Sequence, residues 1–282
     1  MSLGFDPAVD MSNHSSELTL TEAAELKAKG YTTVIVGTGP GVYGEATVQQ
    51  ATAALAVGMN VEAYVYLEGD ADPRWWVEQA VKTLRGTPVA RWWLNLEEAP
   101  VGTLDDIIAF VNAALDELDT LTGQLTGICT AGWFWKSVMQ NTDVFAKQGR
   151  KLWNAWYDED PDIDGLPFGG WTKDDVAIEQ YQGTTTVAGQ SVDLDAIYIR
   201  AGEPQKGEGM TDKERQLLIT LANILVGPGD GSVWSTVDEA LAGVTAYEGQ
   251  RIHAGLAYTQ SQLDTLGRVA VKLGDNVRLA GS

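Results

Sequence analysis

Arg91-Trp92-Trp93-Leu94-Asn95-Leu96-Glu97-Glu98 is the stretch whose reading decides the fold. It reads as a short buried strand that ends in acid. Alternation along a strand puts Trp93, Asn95 and Glu97 on one face and Leu94, Leu96 and Glu98 on the other. An apolar strand tipped with an amide and a carboxylate is one way a barrel enzyme presents a catalytic acid. The remaining chain must then supply a cleft, a partner carboxylate and a substrate class.

Working outward, strands and helices alternate on both sides of this run. Thr32 to Gly37 (TTVIVG) and Val61 to Leu67 (VEAYVYL) precede it as strands, after a first short apolar run, Leu3-Gly4-Phe5-Asp6, that ends in acid. Thr126 to Thr130, Lys151 to Tyr157, Val176 to Tyr181 and Ala196 to Arg200 follow as further strands. Thr19-Leu20-Thr21-Glu22 has capping-box spacing and opens a helix that stops at Gly30. Residues 45–57 form an Ala-rich helix. Asp72-Pro73 supplies an N-cap and a first-turn proline for the next. Thr103 and Asp106 start a helix with the apolar stripe Leu104, Ile107, Ile108, Val111, Leu115 and Leu118, and Trp133 to Phe145 reads as another.

This alternation means βα units and a parallel sheet. Seven or more strand candidates within about 200 residues fit a closed (β/α)8-type barrel, an α/β fold, better than an open doubly wound sheet. The glycine-rich loop Gly37-Thr38-Gly39-Pro40-Gly41 follows the second strand, lacks GxGxxG spacing and has no Walker lysine, so it reads as a tight turn.

Beyond the barrel the character changes. The barrel is expected over residues 1–202 and a separate helical module over 203–282, joined by the polar linker Ala201 to Met210. Thr211 to Val226 reads as a helix. Ile252, Leu256, Thr259, Leu263, Leu266, Ala270 and Leu273 recur at intervals of 4, 3, 4, 3, 4 and 3, a heptad pattern. The expectation is a coiled-coil-like appendage that makes a homo-oligomer or docks a virion partner through 211–275.

Composition narrows the function. The chain has 282 residues, 44% of them hydrophobic, enough for one large core. Its formal net charge of -20 repels nucleic acid and anionic membrane surfaces, so neither is an expected partner. The single cysteine, Cys129, excludes an internal disulfide. His14 and His253 lie far apart in sequence and no CxxC is present, which argues against a transition-metal site, and no cofactor is expected. The N-terminus shows no signal-peptide pattern and no apolar stretch reaches the ~20 residues of a membrane span. The expected localisation is synthesis in a cytoplasm and action at a bacterial cell wall or within a virion.

In a βα barrel the active site lies at the C-terminal ends of the strands. Asp6, Glu68, Glu97 with Glu98, Asp158, Glu179 and the pair Asp193 and Asp195 fall at or near expected strand ends. Tyr64, Tyr66, Trp93, Trp133, Trp156, Tyr157 and Gln180 accompany them as candidate substrate-binding groups. Aromatic faces stack on sugar rings while carboxylates do acid/base work on a glycosidic bond, so this constellation describes a carbohydrate site.

The ordered motifs resemble those of the glycoside hydrolase family 25 lysozymes, the muramidases common among phage endolysins, over residues 3 to about 200. Gly4-Phe5-Asp6 is similar to the family's opening Gly-x-Asp, with Asp10-Met11-Ser12 near its polar turn. Leu94-Asn95-Leu96-Glu97 sits where the family has Asp-x-Glu. Gly132-Trp133-Phe134-Trp135, Leu152-Trp153-Asn154-Ala155-Trp156-Tyr157, Glu179-Gln180-Tyr181 and Val192-Asp193-Leu194-Asp195 are similar to its later segments. The resemblance implies that Glu97 is the general acid, with Asp6, Asp193 and Asn95 as the other catalytic positions. Two carboxylates of the family pattern are replaced: Asn95 stands for the assisting Asp, and the turn at Gly37 to Gly41 holds no Glu.

Two functions follow. One is a cell-wall (peptidoglycan) glycan hydrolase of phage lysozyme type, with Asp193, Asp6 or the substrate's own N-acetyl group opposite Glu97. The alternative, motivated by the lost carboxylates and the heptads, is a catalytically impaired glycan-binding or structural barrel of a phage tail or virion.

Overall fold

The computed structural model describes residues 4–44 and 46–198. The helices and heptads expected after residue 202 lie outside the described residues. Eight strands close into one barrel in sequence order: β1 (Phe5–Met11), β2 (Thr33–Thr38), β3 (Asn60–Tyr66), β4 (Trp92–Asn95), β5 (Gly127–Ala131), β6 (Leu152–Ala155), β7 (Val176–Val187) and β8 (Gln190–Tyr198). The helices are α1 (Leu20–Ala28), α2 (Thr47–Ala56), α3 (Pro73–Thr83), α4 (Leu104–Thr122), α5 (Gly132–Ser137) and α6 (Val144–Lys147). None of the described helices is long and apolar enough to cross a membrane.

The helix starts follow the caps in the sequence. Thr19 accepts a hydrogen bond from the Glu22 N–H while the Glu22 carboxylate accepts from the Thr19 N–H, and Thr103 and Asp106 do the same at α4. Asp72 accepts from the N–H groups of Arg74 and Trp75 at α3. The α4 stripe buries Ile107, Val111, Leu115 and Leu118 against the sheet. The single helix expected over 133–145 is instead two short ones. Gln140 and Asn141 adopt positive φ between them, where a right-handed helix cannot continue.

The sheet departs from an all-parallel barrel at one strand. Pairs from β1–β2 through β6–β7 are parallel, whereas β8 is antiparallel to both β7 and β1. The reason is local. β7 and β8 are joined by Ala188-Gly189, both at positive φ, as a two-residue hairpin requires. A two-residue turn can only reverse the chain, so the crossover helix of a parallel unit is absent here.

Two cores result. The outer one lies between helices and sheet and includes Val9, Val36, Leu94, Leu115 and Phe145. The inner one fills the barrel with Ala8, Ile35, Tyr64, Trp93, Trp153, Ile178 and Ile197. Trp93 needs unusual room: a Cβ on Gly127, its partner across β4–β5, would sit 2.2 Å from the Trp93 ring. Gly127 is therefore a packing requirement of the barrel interior.

Candidate active site

At the end of the barrel reached by the C-termini of β1 to β7 lies a cleft of about 510 Å³. Its walls carry Asp10, Tyr64, Tyr66, Asn95, Glu97, Trp153, Tyr157, Gln180, Thr184 and Asp193, among others. Because β8 runs in reverse, its early residues reach this mouth, and the ladder pairs Asp193 directly with Asp10.

Six of the expected catalytic and binding groups other than Glu97 converge here: Asn95, Asp193, Tyr64, Tyr66, Tyr157 and Gln180. Glu97 lies just past β4, and the Asn95 side-chain amide donates to its Oε1 at 3.3 Å. Asn95 Oδ1 is buried without a partner in the structure. On the facing wall one amide ties three groups together. Gln180 Nε2 donates to Asp10 Oδ2 at 2.6 Å and to Asp193 Oδ2 at 3.1 Å, while Gln180 Oε1 accepts from the Tyr157 hydroxyl at 2.8 Å. Tyr66 donates to Glu98 at 3.0 Å and stacks in parallel on Tyr43, whose hydroxyl donates to Glu68 at 2.7 Å.

Four expected residues lie elsewhere. Asp6 is near the start of β1, opposite Ile197, not at its end. With ~3.3 Å rise per residue it sits roughly 13 Å down the strand from Asp10, at the closed end of the barrel. The strand continues through Pro7 to Met11, so Asp10 takes the place expected for Asp6. Trp93 points inward but one layer too deep, and its indole N–H donates to Glu62 Oε2 at 2.9 Å. Trp153 is the tryptophan that lines the cleft. Trp133 and Trp156 stand on the rim, 67% and 42% exposed, outside the cleft lining.

The acids of the β1–β8 wall are held toward their neutral forms. Burial, with Asp193 as a neighbouring charge, lifts Asp10 from the ordinary 3.8 to about 7. Burial, then Asp10, pushes Asp195 well above its ordinary value. Burial raises Asp193 as well, while hydrogen bonds from Thr184 oppose the rise. Among the described residues no lysine or arginine lines the cleft. Among the described residues no group of three or more His, Cys, Asp or Glu is arranged to hold a metal ion.

Asp10 was legible in the sequence, since Asp6, Ala8 and Asp10 share one strand face. Asp195 shares a strand face with Asp193 in the sequence, but its approach to Asp10, and the place of Trp153 in the cleft wall, depend on how the barrel closes.

A closed eight-stranded barrel whose open mouth carries carboxylates on facing strands, flanked by tyrosines, has the kind of groups that glycoside hydrolysis uses. No family model matches the chain. It is similar in sequence to a Dictyostelium discoideum protein described as "Probable GH family 25 lysozyme 3", 31% identical over 181 residues. That match covers 59% of this chain and 36% of the relative, so the chain spans about a third of that protein's length. In fold it is similar to a muramidase from Trichobolus zukalii (TM-score 0.57, 15% identity, 72% of this chain and 98% of that one). It is also similar to a family GH25 lysozyme from Aspergillus fumigatus (TM-score 0.55, 18% identity, 70% and 95%). The likeness to glycoside hydrolase family 25 lysozymes is thus present in sequence and in fold.

Proposed function

We propose that the barrel is a lysozyme-type hydrolase of bacterial cell-wall glycan, with Glu97 as the general acid. The observation that carries this reading is the opposition of Glu97 on the β4 side to Asp10 and Asp193 on the β1–β8 side of one open cleft. Hydrolysis of a glycosidic bond needs a proton donor for the leaving oxygen and negative charge opposite the developing oxocarbenium ion. Glu97 supplies the proton, and the Asn95 amide, donating to Oε1, orients its carboxyl. Asp193 is the carboxyl that faces the developing charge: it lines the cleft opposite Glu97, and hydrogen bonds from Thr184 oppose the rise that burial gives it. Tyr64, Tyr66 and Tyr157 offer ring faces or hydroxyls to the sugar.

The replacement of an aspartate by Asn95 favours a second reading, a barrel that binds the same glycan without cutting it. One experiment separates the two. Turbidity of a cell-wall suspension is followed with the wild type, Glu97→Gln and Asp193→Asn. Clearing by the wild type, lost in both variants, supports the hydrolase. Co-sedimentation with cell walls but no clearing by any of the three supports the binding barrel. Equal clearing by wild type and Glu97→Gln would remove Glu97 from its role.

A further inference from the structure

Asp195 lies on the inward face of β8 and is fully buried. Its Oδ1 accepts the Trp153 indole N–H at 2.9 Å, and its Oδ2 finds no donor. An ionised carboxylate in that position would be a buried charge with one neutral donor, which proteins avoid by protonation. Among the described residues the groups set against it offer no cation: Asp10 from β1, Cys129 from β5, Trp153 from β6, Gln180 and Tyr181 from β7 and Asp193 from β8 are acidic or neutral. Asp10 is its diagonal neighbour on the inward face of the β1–β8 ladder, since Asp195 pairs with Ala8 and Asp193 with Asp10. Two buried carboxyls so placed repel when both are ionised, and a proton held between them removes that cost. Asp10 already accepts from Gln180 at 2.6 Å, whereas Asp195 Oδ2 accepts from no group, which places the proton on Asp195.

We propose that Asp195 is a buried, proton-bearing positioning residue that donates its O–H to Asp10 and so fixes, through Gln180, the cleft carboxylate Asp193. A single hydrogen-bond chain then runs from the barrel core to the cleft surface: Trp153 to Asp195, Asp195 to Asp10, and Gln180 to both Asp10 and Asp193, with Tyr157 closing it at the rim. Burial supports a proton on this pair, since it pushes both Asp195 and Asp10 above the ordinary carboxylate range. Only the catalytic consequence of this arrangement rests on the hydrolase reading; the proton chain does not.

The test is carbon-13 titration of the full chain labelled at aspartate carboxyls, with Asp10 and Asp195 assigned from Asp10→Asn and Asp195→Asn. The Asp195 signal is expected to stay protonated through pH 8. Asp195→Leu removes the donor to ionised Asp10, so the Asp10 midpoint is expected to rise by about one pH unit. Asp195→Asn keeps a neutral N–H donor and should leave that midpoint near its wild-type value, an outcome a merely structural role would not give. An Asp195 signal that titrates with the exposed aspartates overturns the proposal, even if Asp195→Leu does not fold. An Asp10 midpoint unchanged in folded Asp195→Leu overturns it equally. In the turbidity assay, Asp195→Leu is expected to lose about tenfold or more in rate and Asp195→Asn less than threefold. A wild type that clears nothing, with the titrations as expected, would sink the hydrolase reading and leave the proton chain standing.

Discussion

The two ends of the barrel interior both bury acid, and they treat it oppositely. At the closed end Glu62 is fully buried, yet the Arg91 guanidinium donates to its Oε1 at 2.9 and 3.2 Å and the Trp93 indole donates to Oε2 at 2.9 Å. Every oxygen has a donor and the charge has a counter-ion. At the open end Asp10, Asp193 and Asp195 have neutral side-chain donors, Gln180, Trp153 and Thr184, and among the described residues no lysine or arginine lines the cleft. Neutralised acid braces a wall. Acid left without a cation has a perturbed proton affinity, and that is the property acid/base chemistry uses.

The largest effect separating the two ends is expected at Glu97. Glu97→Gln should lower cell-wall clearing by about 10²- to 10⁴-fold, the range of a general acid, while the melting temperature stays close to wild type. Acidity should distinguish the ends next. Asp10 is lifted from 3.8 to about 7 and burial lifts Glu179, on the outer face of β7, from 4.5 to about 8. The folded state therefore binds more protons than the unfolded chain between those limits. That stabilisation is complete below about pH 4 and is lost as pH rises through 7 and 8. Unfolding free energy should be on the order of a few kcal/mol higher at pH 5 than at pH 9, and Asp10→Asn should flatten the part of the curve below pH 7. A flat curve in the wild type would contradict the assignment.

Arg91→Met tests the closed end. Leaving Glu62 buried without its cation should destabilise by about 3 kcal/mol, the low end for a broken buried pair because Arg91 is partly exposed, with the Glu97-dependent rate per folded molecule unchanged. Gly127→Ala pushes a methyl into Trp93 and should destabilise by roughly 1–3 kcal/mol in urea. The exposed Lys147–Asp143 pair marks the floor: Lys147→Ala should change stability by less than about 0.5 kcal/mol.

The comparison also shows why the site was only partly readable beforehand. Glu97, Asn95 and Asp193 were legible because alternation and strand ends are local properties. Tyr64, Tyr66, Tyr157 and Gln180 followed from the same rule. Asp6 was preferred to Asp10 because the first strand was read as ending where its apolar run ended, whereas pairing with β2 and β8 carries it on to Met11. Trp93 was placed at the mouth because alternation gives a face and says nothing of depth.

By itself the sequence determined the elements and their caps, the alternation that makes a barrel and the acid at the end of β4. These depend on residues within a few positions of one another. Tertiary structure alone decided that β8 returns antiparallel, that Asp10 rather than Asp6 faces Glu97, that Trp93 is floor while Trp153 is wall, and that Asp195 meets Asp10. Those facts rest on inter-strand register and barrel closure, which join residues as far apart as Asp10 and Asp193.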